Sequence, residues 1–186
     1  MPEVMPELTR KFAARRKFEA GFTLGELGLV LLIVAMISMF AYPKFIEYSE
    51  SVTAGEEADN ITHYVSKMRS AHATDSDFRL ITTEILRSTG IFPGTMVQGT
   101  NVINKYQGTV TAEPGAIANP NDSVQFTSTN YSLAGCREVV PRMAGLARIV
   151  TVNGTPVKPK DEPLDRQLLG TACTVAANTI VFIVSK

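Results

Sequence analysis

Three observations predict an α+β fold for this 186-residue chain: a nearly uncharged run close to the N-terminus, a helical stripe that continues it, and short alternating runs separated by turn signals in the second half. The expected architecture is a long N-terminal α-helix, transmembrane in its first half, packed on a small antiparallel β-sheet domain.

The uncharged run comes first. From Phe22 to Tyr42 there are 21 residues with one side chain charged at neutral pH, Glu26. As a helix rising ~1.5 Å per residue they would extend roughly 31 Å, enough to cross a bilayer. Arg10, Lys11, Arg15, Arg16 and Lys17 precede the run, whereas Lys44 beyond it is soon followed by Glu47 and Glu50. By the positive-inside rule the N-terminus stays in the cytoplasm and the chain beyond Pro43 is exported. A cleaved secretory signal would share the basic and apolar regions. It would also need small residues one and three positions before the cut, and Ala41, the best candidate, has Met39 two residues before it. Glu26, near one end of the apolar segment, wants a cationic partner.

The small residue that stands out is Gly21, in the series Gly21-Phe22-Thr23-Leu24-Gly25-Glu26. A basic leader ending in Gly, then Phe-Thr-Leu-x-Glu, then an uncharged helix, resembles a type IV prepilin. The resemblance implies cleavage between Gly21 and Phe22 by a dedicated membrane peptidase, which also methylates the new amine of Phe22. It gives Glu26, fifth residue after the cut, an assembly role: its carboxylate meets the N-terminal ammonium of a neighbouring subunit. The plainer alternative is an anion near a helix N-terminus, favoured by the macrodipole by about 0.3–1 kcal/mol.

Beyond Pro43 the helical pattern continues through Phe45, Tyr48, Val52, Ala58, Ile61, Val65 and Met68, with Glu47, Glu50, Glu56, Glu57, Lys67 and Arg69 mostly off that stripe. Pro43 lacks a backbone donor and clashes with the preceding turn, so a helix kink, or a segment able to melt, is expected there. The expected division is a leader over 1–21, the long helix over 22–74 with its membrane-spanning part at 22–42, and a globular head over 75–186. Asp75-Ser76-Asp77 would cap a second helix with Phe78, Ile81, Ile85 and Leu86 on one face, ending near Ser88.

A Gly-, Thr- and Asn-rich connector follows, with Thr109–Thr111 as a short strand and Ser123–Ser128 as a half-buried one. Leu133–Met143 reads as a short helix bearing Cys136, with Pro141 near its end. Asn153-Gly154 between β-branched runs predicts a two-residue hairpin, and Pro156 places its strand at a sheet edge. Pro163–Leu169 reads as a further helix and Thr179–Ser185 as the last strand.

Cys136 and Cys173 lie in the exported part, where a disulfide forms and persists; two buried thiols are the alternative. The long leader, Thr89-Gly90-Ile91-Phe92-Pro93, the Tyr131–Cys136 stretch and the late hairpin resemble type IVb pilins, especially the thin-pilus subunits of conjugative plasmids. In that family a closing disulfide ties the C-terminal loops to the sheet. Phe22 after the cut is more usual in type IVa members, while the 21-residue leader is of the longer, type IVb kind.

Little points to chemistry. The leader carries five basic and three acidic residues, so the remaining 13 basic and 15 acidic residues give −2, with no basic footprint for nucleic acid. His63 and His72, nine residues apart, fall on opposite faces of a helix and cannot share a metal. Phosphate-loop, Cys-x-x-Cys and nucleophile-elbow motifs are lacking. Asp161, Glu162 and Asp165 are flanked by Lys158, Lys160 and Arg166 and lack EF-hand spacing, so a solvated loop is expected rather than a calcium site. No cofactor and no catalytic residue is expected.

The resemblance implies a non-enzymatic major subunit of a surface filament, serving adhesion, conjugation contact or aggregation. Its partners would be copies of itself in a helical homopolymer, the prepilin peptidase, the inner-membrane assembly machinery and, before assembly, the inner membrane. A minor pilin or a type II secretion pseudopilin would share the leader, Glu26 and the helix. A membrane-anchored periplasmic enzyme would need a residue set that the sequence lacks.

Overall fold

The computed structural model describes residues 23–186, in two compact units that meet between Tyr42 and Pro43. Gly21 and Phe22, the expected cleavage residues, lie outside the described residues. Helix α1 runs from Leu24 to Ala71, and Pro43 stands inside it.

In the unit from Pro43 onward, α1 buries Ala54, Glu57, Ala58, Ile61, Tyr64, Val65 and Met68, at the three- and four-residue steps that keep side chains on one face. The stripe read from sequence therefore holds from Ala58 to Met68 but not before: Phe45, Tyr48 and Val52 are exposed. Periodicity shows that a face is apolar; it does not show which surface covers it. Glu57, expected off the stripe, is fully buried on it.

The face of α1 packs on a five-stranded antiparallel sheet of β3 (Val110–Ala116), β4 (Pro120–Tyr131), β5 (Ile149–Val152), β6 (Thr155–Lys158) and β7 (Asn178–Ser185), in the order β3-β4-β7-β5-β6. A separate hairpin joins β1 (Val97–Gln98) to β2 (Asn101–Val102), an element that the sequence reading did not contain. Alternation along β4 and β7 turns Val124, Phe126, Ile180, Phe182 and Val184 inward, and the register sets Phe126 opposite Phe182 and Val124 opposite Val184. Tyr64 of α1 meets Phe126 and Phe92 at ring-centroid distances of 5.1 Å each. Each such buried side chain contributes about 1.5–3 kcal/mol, so this aromatic layer is a principal hold between helix and sheet.

Both sheet edges are covered by local chemistry. Thr83 of α2 (Thr83–Ser88) accepts the Ala112 N–H at 2.8 Å and donates to the Ala112 carbonyl at 3.2 Å, occupying the free side of β3. Pro156 sits on the other edge strand, as the sequence predicts. Between β5 and β6 the Asn153-Gly154 turn takes φ of 50° and 83°, the positive values that a two-residue hairpin demands. At the β3–β4 turn the Asp122 carboxylate accepts backbone N–H groups from Asn119, Ile117 and Ala118 at 2.7–2.8 Å, and these donors hold its pKa down at about 2.

Two helices start later than expected. The second begins at Thr83 rather than at the acidic series, because Thr82 caps it by accepting the Ile85 N–H, while the Phe78 N–H is taken by the Asn121 carbonyl. Phe78 and Ile81 are buried from a loop, and Ile85, expected on the same face, is exposed. Helix α3 (Leu133–Met143) matches its expected bounds, with Pro141 within it. Helix α4 (Arg166–Ala172) starts after Asp165, whose carboxylate caps Gln167 and Leu168.

Candidate assembly site

At the start of α1, Thr23 and Glu26 form a reciprocal capping box. The Thr23 N–H and hydroxyl both donate to Glu26 Oε2, at 2.9 and 3.0 Å, and the Glu26 N–H returns a bond to Thr23 Oγ1 at 3.2 Å. The Thr-x-x-Glu spacing is legible in the sequence as a capping box, a signal that the sequence reading did not use. Both groups are exposed, and the second carboxylate oxygen has no hydrogen-bond partner among the described residues.

The segment from Leu24 to Tyr42 shows Leu, Ile, Val, Met and Phe side chains on every face, all exposed. α1 is the one helix among the described residues long and apolar enough, by length and composition, to cross a membrane. Past Pro43 the exposed apolar surface continues through Phe45, Ile46, Tyr48 and Val52. Exposed apolar surface of this extent marks a site of interaction with lipid or protein.

Inside the head, Glu57 anchors a buried polar network. Its Oε1 accepts the Tyr131 hydroxyl at 2.9 Å and its Oε2 accepts the Lys105 N–H at 3.0 Å. The Tyr131 oxygen lies 2.8 Å from Ser128 Oγ, which accepts the Asn104 side-chain amide at 3.0 Å. Because that amide nitrogen only donates and an ionised carboxylate only accepts, the chain has one polarity: Asn104 to Ser128 to Tyr131 to Glu57. Burial pushes the Glu57 carboxyl above its ordinary value against the opposing pull of these donors and of the Lys105 charge. Sequence reading missed Glu57, although its place three residues after Ala54 and four before Ile61 puts it on the buried face.

Cys136 and Cys173 are joined in a disulfide, with Cα atoms 5.9 Å apart, linking the first turn of α3 to the residue that ends α4. Arg137 adds a 2.8 Å bond to the Gly170 carbonyl. The remaining polar candidates disperse. His63 is exposed, His72 pairs with Asp75 at 2.7 Å, Asp161 pairs with Arg148, and Asp165 is a helix cap. Among the described residues no three His, Cys, Asp or Glu side chains gather as metal ligands.

A family model described as PilS N terminal matches residues 51–185. Among solved structures, a type IV b pilin from Salmonella typhi is similar with a TM-score of 0.55 at 17% identity, covering 71% of this chain and 99% of that one. TcpA, a type IV pilin from the Vibrio cholerae El Tor biotype, is similar with a TM-score of 0.54 at 11% identity, covering 72% and 99%. At these identities the structural likeness is one of fold. No curated protein sequence matches the chain.

Proposed function

The chain belongs to the PilS family of type IVb pilins, and from that premise we propose that it is the major structural subunit of a bacterial surface pilus. The observation that carries the proposal is the apolar surface exposed on every side of α1 from Leu24 to Tyr42 and continued at Phe45, Ile46, Tyr48 and Val52. Lipid covers the first part before assembly; copies of the same helix cover the whole of it in a filament.

In this reading the N-terminus is cytoplasmic, Phe22–Tyr42 crosses the inner membrane and the head faces the periplasm. The prepilin peptidase cuts between Gly21 and Phe22 and methylates the new amine. The assembly machinery then lifts the subunit out, and Pro43 gives the helix a place to kink or melt during the transfer. Burying Glu26 in an apolar filament core requires a cation, and the N-terminal ammonium of a neighbour supplies it. The Thr23 donors engage one carboxylate oxygen and leave the other for that contact. The head forms the outer surface, where adhesion, conjugation contact or aggregation takes place.

The test is deletion of the gene followed by electron microscopy and protein analysis of material sheared from the cells. Loss of filaments whose dominant protein is this chain supports the major-subunit reading. Filaments that persist, or in which the chain is a trace component, give it the role of a minor pilin or pseudopilin.

A further inference from the structure

We propose that a hollow of about 220 Å³, walled by α1, the β1–β2 hairpin and the loop that follows it, is a binding site for one neutral sugar ring. Pockets for drug-sized molecules run to about 300–1,000 Å³, so this one takes something smaller, a single ring with its hydroxyls. The wall is made of neutral hydrogen-bonding groups: the amides of Asn60, Gln98 and Gln107 and the hydroxyl of Thr95. Thr95, Gln98 and Gln107 are exposed, and no side-chain hydrogen bond ties any of them to another described residue. Asn60 is half-buried on α1, and its side-chain nitrogen is shut off from solvent without a hydrogen-bond partner. Such a donor is costly to leave unmet, and the hollow that Asn60 lines is where a ligand oxygen can meet it.

Charge, pairing and floor select that chemistry. Among the described residues of the lining only Lys105 is charged, and its Nζ is held by Glu56 at 2.6 Å, so an anion finds no free cation here. Each amide offers a donor and an acceptor side by side, and each sugar hydroxyl is both, so the two can pair in either sense. Met96, buried, and Ile103, half-buried, give an apolar patch for the C–H face of a ring. The walls are fixed before anything binds. Asn104 spends its whole side chain on this: its amide donates to Ser128 Oγ and the Thr129 carbonyl at 3.0 and 2.7 Å, and its oxygen accepts the Tyr106 and Gly108 N–H groups at 2.9 and 2.8 Å. Asn130 donates to the Tyr106 carbonyl at 2.6 Å, and the Ile103 N–H to the Met96 carbonyl at 2.7 Å. A ligand therefore has little loop to order on binding. Gln107 stands at φ 60°, whereas the other described non-glycine residues of positive φ are Asn or Asp, which tolerate it better. Glycine would sit more easily there and would take the amide out of the hollow. Because the site lies wholly in the head, it does not depend on filament formation; in a pilus it gives adhesion a ligand.

Proton–nitrogen NMR of the full chain, in micelles of a detergent without a sugar headgroup, tests the site. The probes are the methyl glycosides of glucose, galactose, mannose and N-acetylglucosamine, with inorganic phosphate as the anionic comparison. At least one glycoside should saturably shift the side-chain amides of Asn60, Gln98 and Gln107 and the backbone amide of Lys105, with a Kd in the millimolar range, and phosphate should not. Gln107→Gly, which suits the backbone angle, and Gln98→Ala should keep the wild-type spectrum elsewhere and each weaken that binding about three- to tenfold. The proposal is overturned if no glycoside gives a saturable shift, if the shifts centre elsewhere on the head, if phosphate shifts the same amides as strongly, or if both variants bind as wild type. A neutral oligosaccharide ending in the sugar that binds then separates two sources of the ring: tighter binding than the methyl glycoside assigns the site to a glycan end, and equal binding to a free sugar. None of these readouts involves filaments, so failure here leaves the pilus reading standing, and failure of the pilus reading leaves this one to its own test.

Discussion

Tyr131, on the second strand of the five-stranded sheet, donates its hydroxyl hydrogen to Glu57 on the long helix across 2.9 Å, joining residues 74 positions apart inside the head. Removing that hydroxyl leaves one carboxylate oxygen without its donor. Tyr131→Phe should therefore cost about 1–3 kcal/mol in chemical unfolding of the full chain in detergent. An unfolding midpoint equal to wild type would show that the bond carries no net stability.

The Glu57 carboxyl also fixes the sign of a pH effect. Its folded-state pKa is raised, first by burial, above the ordinary 4.5 that the unfolded chain retains. Its contribution to stability is thus fully present below that value and is lost as pH rises through the folded-state pKa. Measured against Glu57→Gln, the wild-type chain should lose relative stability from about pH 4.5 upward. A difference between the two that stays constant with pH would contradict the assignment.

The Cys136–Cys173 link closes a loop with a sequence separation of 37 and ties α3 to the end of α4. Cys136→Ser should lower the stability of the head by about 2–5 kcal/mol, seen as a lower thermal unfolding midpoint under non-reducing conditions. An unchanged midpoint would mean that the surrounding packing alone holds these helices.

Glu26 and the helix start make separable contributions. Glu26→Leu removes the carboxylate that the proposed filament core needs, while an apolar residue at that place does not hinder membrane insertion. The variant should fractionate with membranes at wild-type abundance and yield no surface filaments. Normal piliation would sink the assembly role and leave Glu26 as a partner in the capping box with Thr23.

Local rules made much of the fold legible. The Asn153-Gly154 hairpin, the Leu133–Met143 helix and the stripe from Ala58 to Met68 rest on φ preference and periodicity, which act within a few residues. What stayed hidden depends on groups far apart in sequence. The acidic series at Asp75 offered good caps, yet the Phe78 N–H is claimed by Asn121, and Thr82 became the cap instead. A charged residue on the buried face is rejected by any rule of burial until Tyr131 and the Lys105 N–H are known to meet it. The sequence also marked Phe45, Tyr48 and Val52 as apolar without revealing that the head leaves them uncovered. Of the site residues, the cysteine pair came together as the sequence led one to expect, and Thr23 entered only with the capping geometry.

The most direct test of the central claim is the intact mass of this protein in material sheared from the cell surface, before and after reduction. The account predicts a chain that begins at methylated Phe22 and gains two hydrogens on reduction of its disulfide. An unprocessed chain confined to the membrane fraction would contradict it.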